Sequence, residues 1–148
     1  MKPNKDVIAI LSRALADTFT LYLNTHKCHW NVEDPNFYSL HLMFEKQYGM
    51  LYEDADTLAE RIRALGAYAP GSFQEFEKLA TVKSYTGPQM SAEKMISFLL
   101  SGYEALLKTL YETMNLAHEH GDESTFDVVI GQIDIREKTV WMLRSSLK

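Results

Sequence analysis

The chain has little of what would interrupt or cross-link it. Of its 148 residues only 4 are proline and 7 glycine, so breakers are sparse and long helices are favoured. Cys28 is the only cysteine. An intrachain disulfide is therefore excluded, and a reducing compartment such as the cytoplasm is the expected setting. No apolar run approaches the ~20 residues that a membrane-spanning helix needs. The opening segment, MKPNKDVIAILSRALAD, has no long apolar stretch of the kind that drives secretion. Positive charge is also short: 15 Lys and Arg stand against 20 Asp and Glu, a formal net charge of -5. Affinity for phosphate comes mostly from Lys and Arg, so this balance argues against an unaided nucleic-acid or anionic-membrane binder. It suits the handling of cations better. Internal repeats, low-complexity tracts and strand-like alternation are absent.

What is present reads as one domain over residues 1-148, with 46% hydrophobic residues to build a core. In the first stretch, from about Asn4 to about Cys28, Ile8, Leu11, Leu15, Phe19 and Tyr22 recur at helical spacing. Asn31 to Asn36, with Pro35 inside, breaks it. A second helix is expected from Phe37 to Leu65, ended by Gly66 as a left-handed residue. A long connection follows, carrying Pro70-Gly71 and Gly87-Pro88, with a short helix around Phe73 to Leu79. The third long helix is expected from Ser91 as N-cap, with Ile96, Leu99, Leu100, Tyr103, Leu107, Leu110 and Met114 on one stripe. The fourth is expected to start near Ser124, which has capping-box spacing to Asp127. The fold class expected is all-α: a four-helix bundle with a short extra helix in its long middle connection.

The chemistry is concentrated on the second helix. On a wheel of about 100° per residue, Leu40, Phe44, Leu51, Ala55, Leu58 and Ile62 form the core side. His41, Glu45, Asp56 and Glu60 fall in another sector, roughly 130° away. Glu and Asp on a helix surface are ordinarily just solvated. Gly49 and Tyr52 share the sector, however, and Tyr48 borders it; these residues suit a packed interface. At about 1.5 Å per residue, His41 and Glu60 are roughly 28 Å apart, so one chain cannot gather all four donors. A second copy lying antiparallel about a two-fold axis can. The midpoints of 41 and 60 and of 45 and 56 coincide between Met50 and Leu51. One two-fold there sets His41 opposite Glu60, and Glu45 opposite Asp56, making two equivalent sites. His29, near the end of the first helix and beside Trp30, can reach the same place. Imidazole and carboxylate together suit iron, and equally zinc or manganese. Glu-x-x-His pairs, which build an intrachain di-iron centre, are missing, so a centre inside one bundle is not expected.

At these residues the sequence resembles the Dps family, the mini-ferritins of the ferritin-like superfamily. HWNVEDPNFYSLHLMFEKQY is similar to that family's first signature and EDADTLAERIRALG to its second. PGSFQEF resembles its short-helix region, and GDESTFDVV and REKTVWMLR resemble its last helix. The resemblance implies a hollow dodecamer with ferroxidase sites at two-fold interfaces along helix 37-65. It implies two irons per site, held by His29, His41 and Glu45 of one subunit and by Asp56 and Glu60 of the other. The implied activity is oxidation of Fe(II), preferentially with hydrogen peroxide, and storage of Fe(III) mineral, which protects against oxidative stress. Trp30 is implied as a radical trap, against plain interface packing, and Asp122 and Asp127 as the lining of a pore through which iron enters. For Asp122 and Asp127 the competing reading is helix N-terminal chemistry.

Three departures stand out. Position 45 is Glu where much of the family has Asp, and Leu42 stands where relatives often carry an acid that helps nucleate mineral. A Lys-rich tail, the family's usual DNA-binding device, is reduced to Lys2, Lys5 and Lys148. Direct DNA binding is therefore not expected, and a DNA-compacting stress protein with little ferroxidase activity is the alternative reading.

Overall fold

The computed structural model describes residues 4-147. Its helices are α1 (Lys5–Asn31), α2 (Phe37–Ala64), α3 (Phe73–Leu79), α4 (Ala92–Glu119) and α5 (Glu123–Ser145), and no strand occurs among the described residues. The four long helices form the bundle and α3 is the short extra one. Lys2 and Lys148, two of the three lysines weighed for a tail, lie outside the described residues; Lys5 opens α1. Among the described residues no helix is long and apolar enough to cross a membrane.

Every helix but α2, whose Asn36 makes no side-chain cap, begins where a side chain satisfies free N–H groups. Asn4 accepts from the amides of Asp6 and Val7. Ser72 accepts from the Glu75 amide while Glu75 takes the Ser72 hydroxyl, and Ser91 accepts from the Lys94 amide. Gly66, at φ 93°, closes α2 with the Gly66 amide on the Arg63 carbonyl and the Ala67 amide on that of Ile62. Gly121, at φ 72°, repeats this pattern after α4, and the Asp122 amide reaches the Ala117 carbonyl. The last helix starts at Glu123, next to the expected Ser124, but its cap is not the Ser124–Asp127 box that the spacing suggested. Gly121 turns the chain so tightly that Asp122 is already the N-cap, accepting from the Thr125 amide at 3.1 Å. The first helix also runs further than expected, through His29 and Trp30 to Asn31.

All bundle neighbours are antiparallel. His29 lies beside His41 and Tyr22 beside Tyr52, Arg13 pairs with Glu112, and Arg61 with Asp122. Hence α1 and α5 run one way and α2 and α4 the other, which demands one long crossover. That crossover is held down by α1. The fully buried Asp17 carboxylate accepts from the Thr81 amide, the Thr81 hydroxyl, the Val82 amide and the Thr109 hydroxyl. Asn24 takes the Tyr85 amide and donates to the Lys83 carbonyl. The core runs along the bundle axis through Leu11, Leu21, Phe44, Leu51, Leu58, Leu99, Leu106 and Leu143. Between α2 and α5 the filling is polar instead: Arg136, 1% exposed, meets Asp54 at 2.8 Å. Burial nevertheless raises the Asp54 carboxyl above its usual range, against the pull of Arg136.

Candidate metal centre

The antiparallel crossing of α1 and α2 puts the last turn of one beside the first turns of the other. There the structure brings His29 and His41 together, and they engage reciprocally. Nδ1 of His29 lies 2.8 Å from the His41 carbonyl oxygen, and Nδ1 of His41 lies 2.7 Å from the His29 carbonyl oxygen. A carbonyl only accepts, so both rings carry a proton on Nδ1, and Nε2, directed away from the backbone, is the nitrogen that each neutral ring offers to a metal. The His29 carbonyl is among the last four of α1, which lack an intrahelical partner, so His41 also completes the helix end. The two imidazoles are stacked, with centroids 3.7 Å apart and planes 13° apart. His29 is buried, and Phe37 covers the other side of His41 at 5.0 Å.

Glu45, Asp56 and Glu60 are all exposed on α2. None of the ion pairs among the described residues uses them. Among the described residues of one chain, no three His, Cys, Asp or Glu side chains come close enough to hold a metal ion together. The chain thus presents an oriented imidazole pair with Glu45 one turn away at one end of α2, and the bare carboxylates of Asp56 and Glu60 toward the other. Gly49, between them, has nothing within 4 Å of where a Cβ would stand, so its own fold does not require a glycine there.

Aromatic side chains surround the pair. His26 stacks on Tyr48 at 3.9 Å and packs on Trp30 at 3.9 Å with the planes tilted by 31°, and its Nδ1 is 3.1 Å from the Tyr22 hydroxyl. His26 is thus packed by its neighbours, as the hub of this cluster. Burial, then the neighbouring His29, lowers its pKa. Tyr52 and Trp30 remain about 60% exposed (58% and 60%), large apolar surfaces only partly covered by their own chain.

Two other groups singled out from the sequence are elsewhere. Asp122 is buried at the start of α5, where its carboxylate takes the Thr125 amide and hydroxyl and meets Arg61 at 3.4 Å. Asp127, one turn further, is exposed. Cys28 points into the core, and burial pushes its thiol up to about 12.

Comparison with known proteins follows the same lines. The ferritin-like domain family matches residues 8–148. A low temperature-induced protein of Nostoc sp. is 38% identical over 143 residues, covering 96% of this chain and 80% of that one. DNA protection during starvation protein 2 of Bacillus anthracis is 33% identical over 97% of this chain and 98% of its own. Dps from Staphylococcus aureus superposes with a TM-score of 0.94 at 32% identity, covering 100% of this chain and 99% of that one. Dps from Vibrio cholerae, described as a member of a broad superfamily of ferritin-like diiron-carboxylate proteins, superposes at 0.92 with 33% identity, covering 100% and 98%.

Proposed function

This chain belongs to the Dps family of ferritin-like proteins, and from that premise we propose that it is a ferroxidase that oxidises and stores iron at sites shared between two subunits. Membership itself points to iron storage and protection under stress. The finer reading is carried by one observation, the reciprocal Nδ1–H bonds of His29 and His41. A pair of imidazoles that both use Nδ1 as donor keeps both Nε2 atoms for a cation, and outer hydrogen bonds of this kind are what orient metal-binding histidines. The carboxylates that would complete the donor set are on the far half of α2 of the same chain, out of reach. A two-fold near Met50 and Leu51 brings them in from a second copy, so that facing residue numbers add to 101.

Each site then holds His29, His41 and Glu45 of one subunit with Asp56 and Glu60 of the other, and Fe(II) is its substrate. Three carboxylates concentrate ferrous ions, and the imidazoles leave room for the oxidant. Oxidation of two Fe(II) by one hydrogen peroxide consumes two protons and yields two Fe(III) and two waters. Removing both electrons in one place avoids the one-electron step that releases hydroxyl radical. Trp30, beside the pair, is placed to intercept a radical that escapes. The single domain assembles as a dodecameric shell that retains the Fe(III). Asp127, being exposed, is the residue of the acidic pair open to incoming iron. Asp122 positions it by capping the helix that carries it.

The test is anaerobic loading with Fe(II), then stopped-flow absorbance on adding peroxide or air. Rapid oxidation by peroxide with soluble Fe(III) retained is expected, faster than with air. His29→Ala and Glu60→Ala are each expected to slow it at least ~10-fold while leaving the sedimentation profile unchanged. Wild-type rates in both variants would refute the site assignment. The name of the Bacillus anthracis relative speaks of DNA protection. With a net charge of -5, no gel-shift is expected at ~150 mM salt, where phosphate contacts are weakened.

A further inference from the structure

The seam between α2 and α5 is built differently from the leucine-rich core. On α2, Met43, Gln47, Met50 and Asp54 recur at helical spacing, and on α5 Gln132, Arg136 and Thr139 do the same. The two helices are antiparallel, and facing residues such as Asp54 with Gln132 and Arg61 with Thr125 have numbers adding to 186. The same register sets Gln47 opposite Thr139. A cavity of about 260 Å³ stays open there. Gln47 and Thr139 are buried at its floor, while Lys46, Lys138 and Asp134 stand exposed at its rim. Met43, Met50, Met142 and Ile135 form the wall between. Gln47 is the unusual member. It is 3% exposed, yet neither its Nε2 nor its Oε1 has a hydrogen-bond partner in its own chain. The Thr139 hydroxyl does not help, because it donates to the Ile135 carbonyl at 3.0 Å. One turn along, Gln132 Oε1 and the Arg136 nitrogens are likewise without hydrogen bonds, Arg136 meeting Asp54 only as an ion pair at 2.8 Å. Burying an amide unpaired is costly, and native folds rarely do so unless a partner arrives from outside.

We propose that this cavity binds a small aromatic hydroxycarboxylate, its hydroxyl on the Gln47 amide, its ring among the three methionines and its carboxylate between Lys46 and Lys138. Each part of the ligand answers a part of the wall. A free amide donor and a free amide acceptor together match a hydroxyl, which takes one hydrogen bond and gives one. Thioethers adapt to the shape of a ring and make favourable contacts with it. At the rim two ammonium groups face one carboxylate, and none of the three is in an ion pair among the described residues, so the rim favours an anion. The volume, just below the ~300 Å³ at which ligand pockets ordinarily begin, limits the occupant to a single ring. Tyr48 and Tyr52 mark the flank of α2 that faces α1, and the cavity is on the flank facing α5. It uses none of the candidate metal donors and does not depend on the two-fold.

The probe is para-hydroxybenzoate, titrated into iron-free full-length protein that is isotope-labelled at the methionine methyls. The chain has 7 methionines, so the methyl spectrum is sparse, and Met→Leu variants assign it. The Met43, Met50 and Met142 methyls are expected to shift together and to saturate at one probe per subunit, with a dissociation constant of about 1 mM or below. Benzoate, which lacks the hydroxyl, and phenol, which lacks the charge, are each expected to bind at least ~10-fold more weakly. Gln47→Leu is expected to lose at least as much affinity for para-hydroxybenzoate while keeping or raising the urea midpoint, because an orphaned amide gives way to an apolar group of similar size. Lys138→Gln is expected to weaken para-hydroxybenzoate and to leave phenol unchanged. No saturable shift of these three methyls would mean that the cavity holds water alone, and overturns the proposal. Benzoate and phenol binding as tightly as para-hydroxybenzoate, or full affinity in folded Gln47→Leu, overturns it as well.

Discussion

His29 and Cys28 are adjacent in the chain and opposite in chemistry, and one helical step of about 100° separates them. His29 turns to α2, where a backbone carbonyl fixes its proton on Nδ1. Cys28 turns into the core, where burial outweighs the pull of Lys27 and the pKa rises to about 12. The thiol is therefore expected to be silent toward a disulfide reagent at pH 8 in folded protein and to react fully in urea. The same shift has a thermodynamic consequence. A pKa raised on folding, from an ordinary value of 9.0, contributes stability that is complete below about pH 9 and falls away as the pH rises toward about 12. Cys28→Ala is expected to lose less stability than the wild type across that window, measured by urea unfolding at each pH. An equal loss in both would show that the thiolate is not the disfavoured species.

Among the helices, the start of α5 has the most riding on a single residue. Asp122 caps the helix, holds the Thr125 hydroxyl and anchors Arg61 of α2, so it ties together the one pair of long helices that otherwise meet across a polar gap. Asp122→Ala is expected to cost about 2 kcal/mol, roughly half from the lost cap and half from the groups left without a partner, read as a shift in urea midpoint. Asp127→Ala, on the exposed face, is expected to leave the midpoint unchanged and to slow iron uptake. If both variants were equally destabilised, the division of labour between cap and pore would be wrong. The spacing of Ser124 and Asp127 suggested a capping box because its residue types fit. What overrides it is the tight Gly121 turn, a feature readable only once the end of α4 is known.

For the whole molecule, the central question is what covers the outward face of α2. Gly49 isolates it. A side chain there meets nothing in its own subunit, and replacing glycine inside a helix is favourable by up to about 1 kcal/mol. Gly49→Glu is expected to leave or slightly raise subunit stability. It places a bulky charge where Tyr52 of a second copy would lie, so association is expected to fall on the order of 100-fold by sedimentation. Assembly unaffected by Gly49→Glu would remove the two-fold face altogether.

Much of this molecule follows from local rules. Apolar spacing of 3.6 is enough to place four long helices, because burial of one stripe is a local pattern repeated along the chain. Ser91 and Gly66 mark helix ends by their own side-chain or backbone preferences, and the short helix at Phe73–Leu79 follows from Ser72 and Glu75. The outward stripe of His41, Glu45, Asp56 and Glu60 is equally a matter of periodicity. What periodicity cannot supply is contact between residues distant in sequence. The pairing of His29 with His41, the four donors converging on Asp17, the burial of Arg136 against Asp54 and the clustering of His26 with Tyr22, Tyr48 and Trp30 each need two helices brought together. Residue type and spacing made the candidate donors visible. Only the packing of α1 on α2 decided which nitrogen of each imidazole is engaged by the backbone and which is left facing outward, because that depends on a carbonyl twelve residues away in sequence.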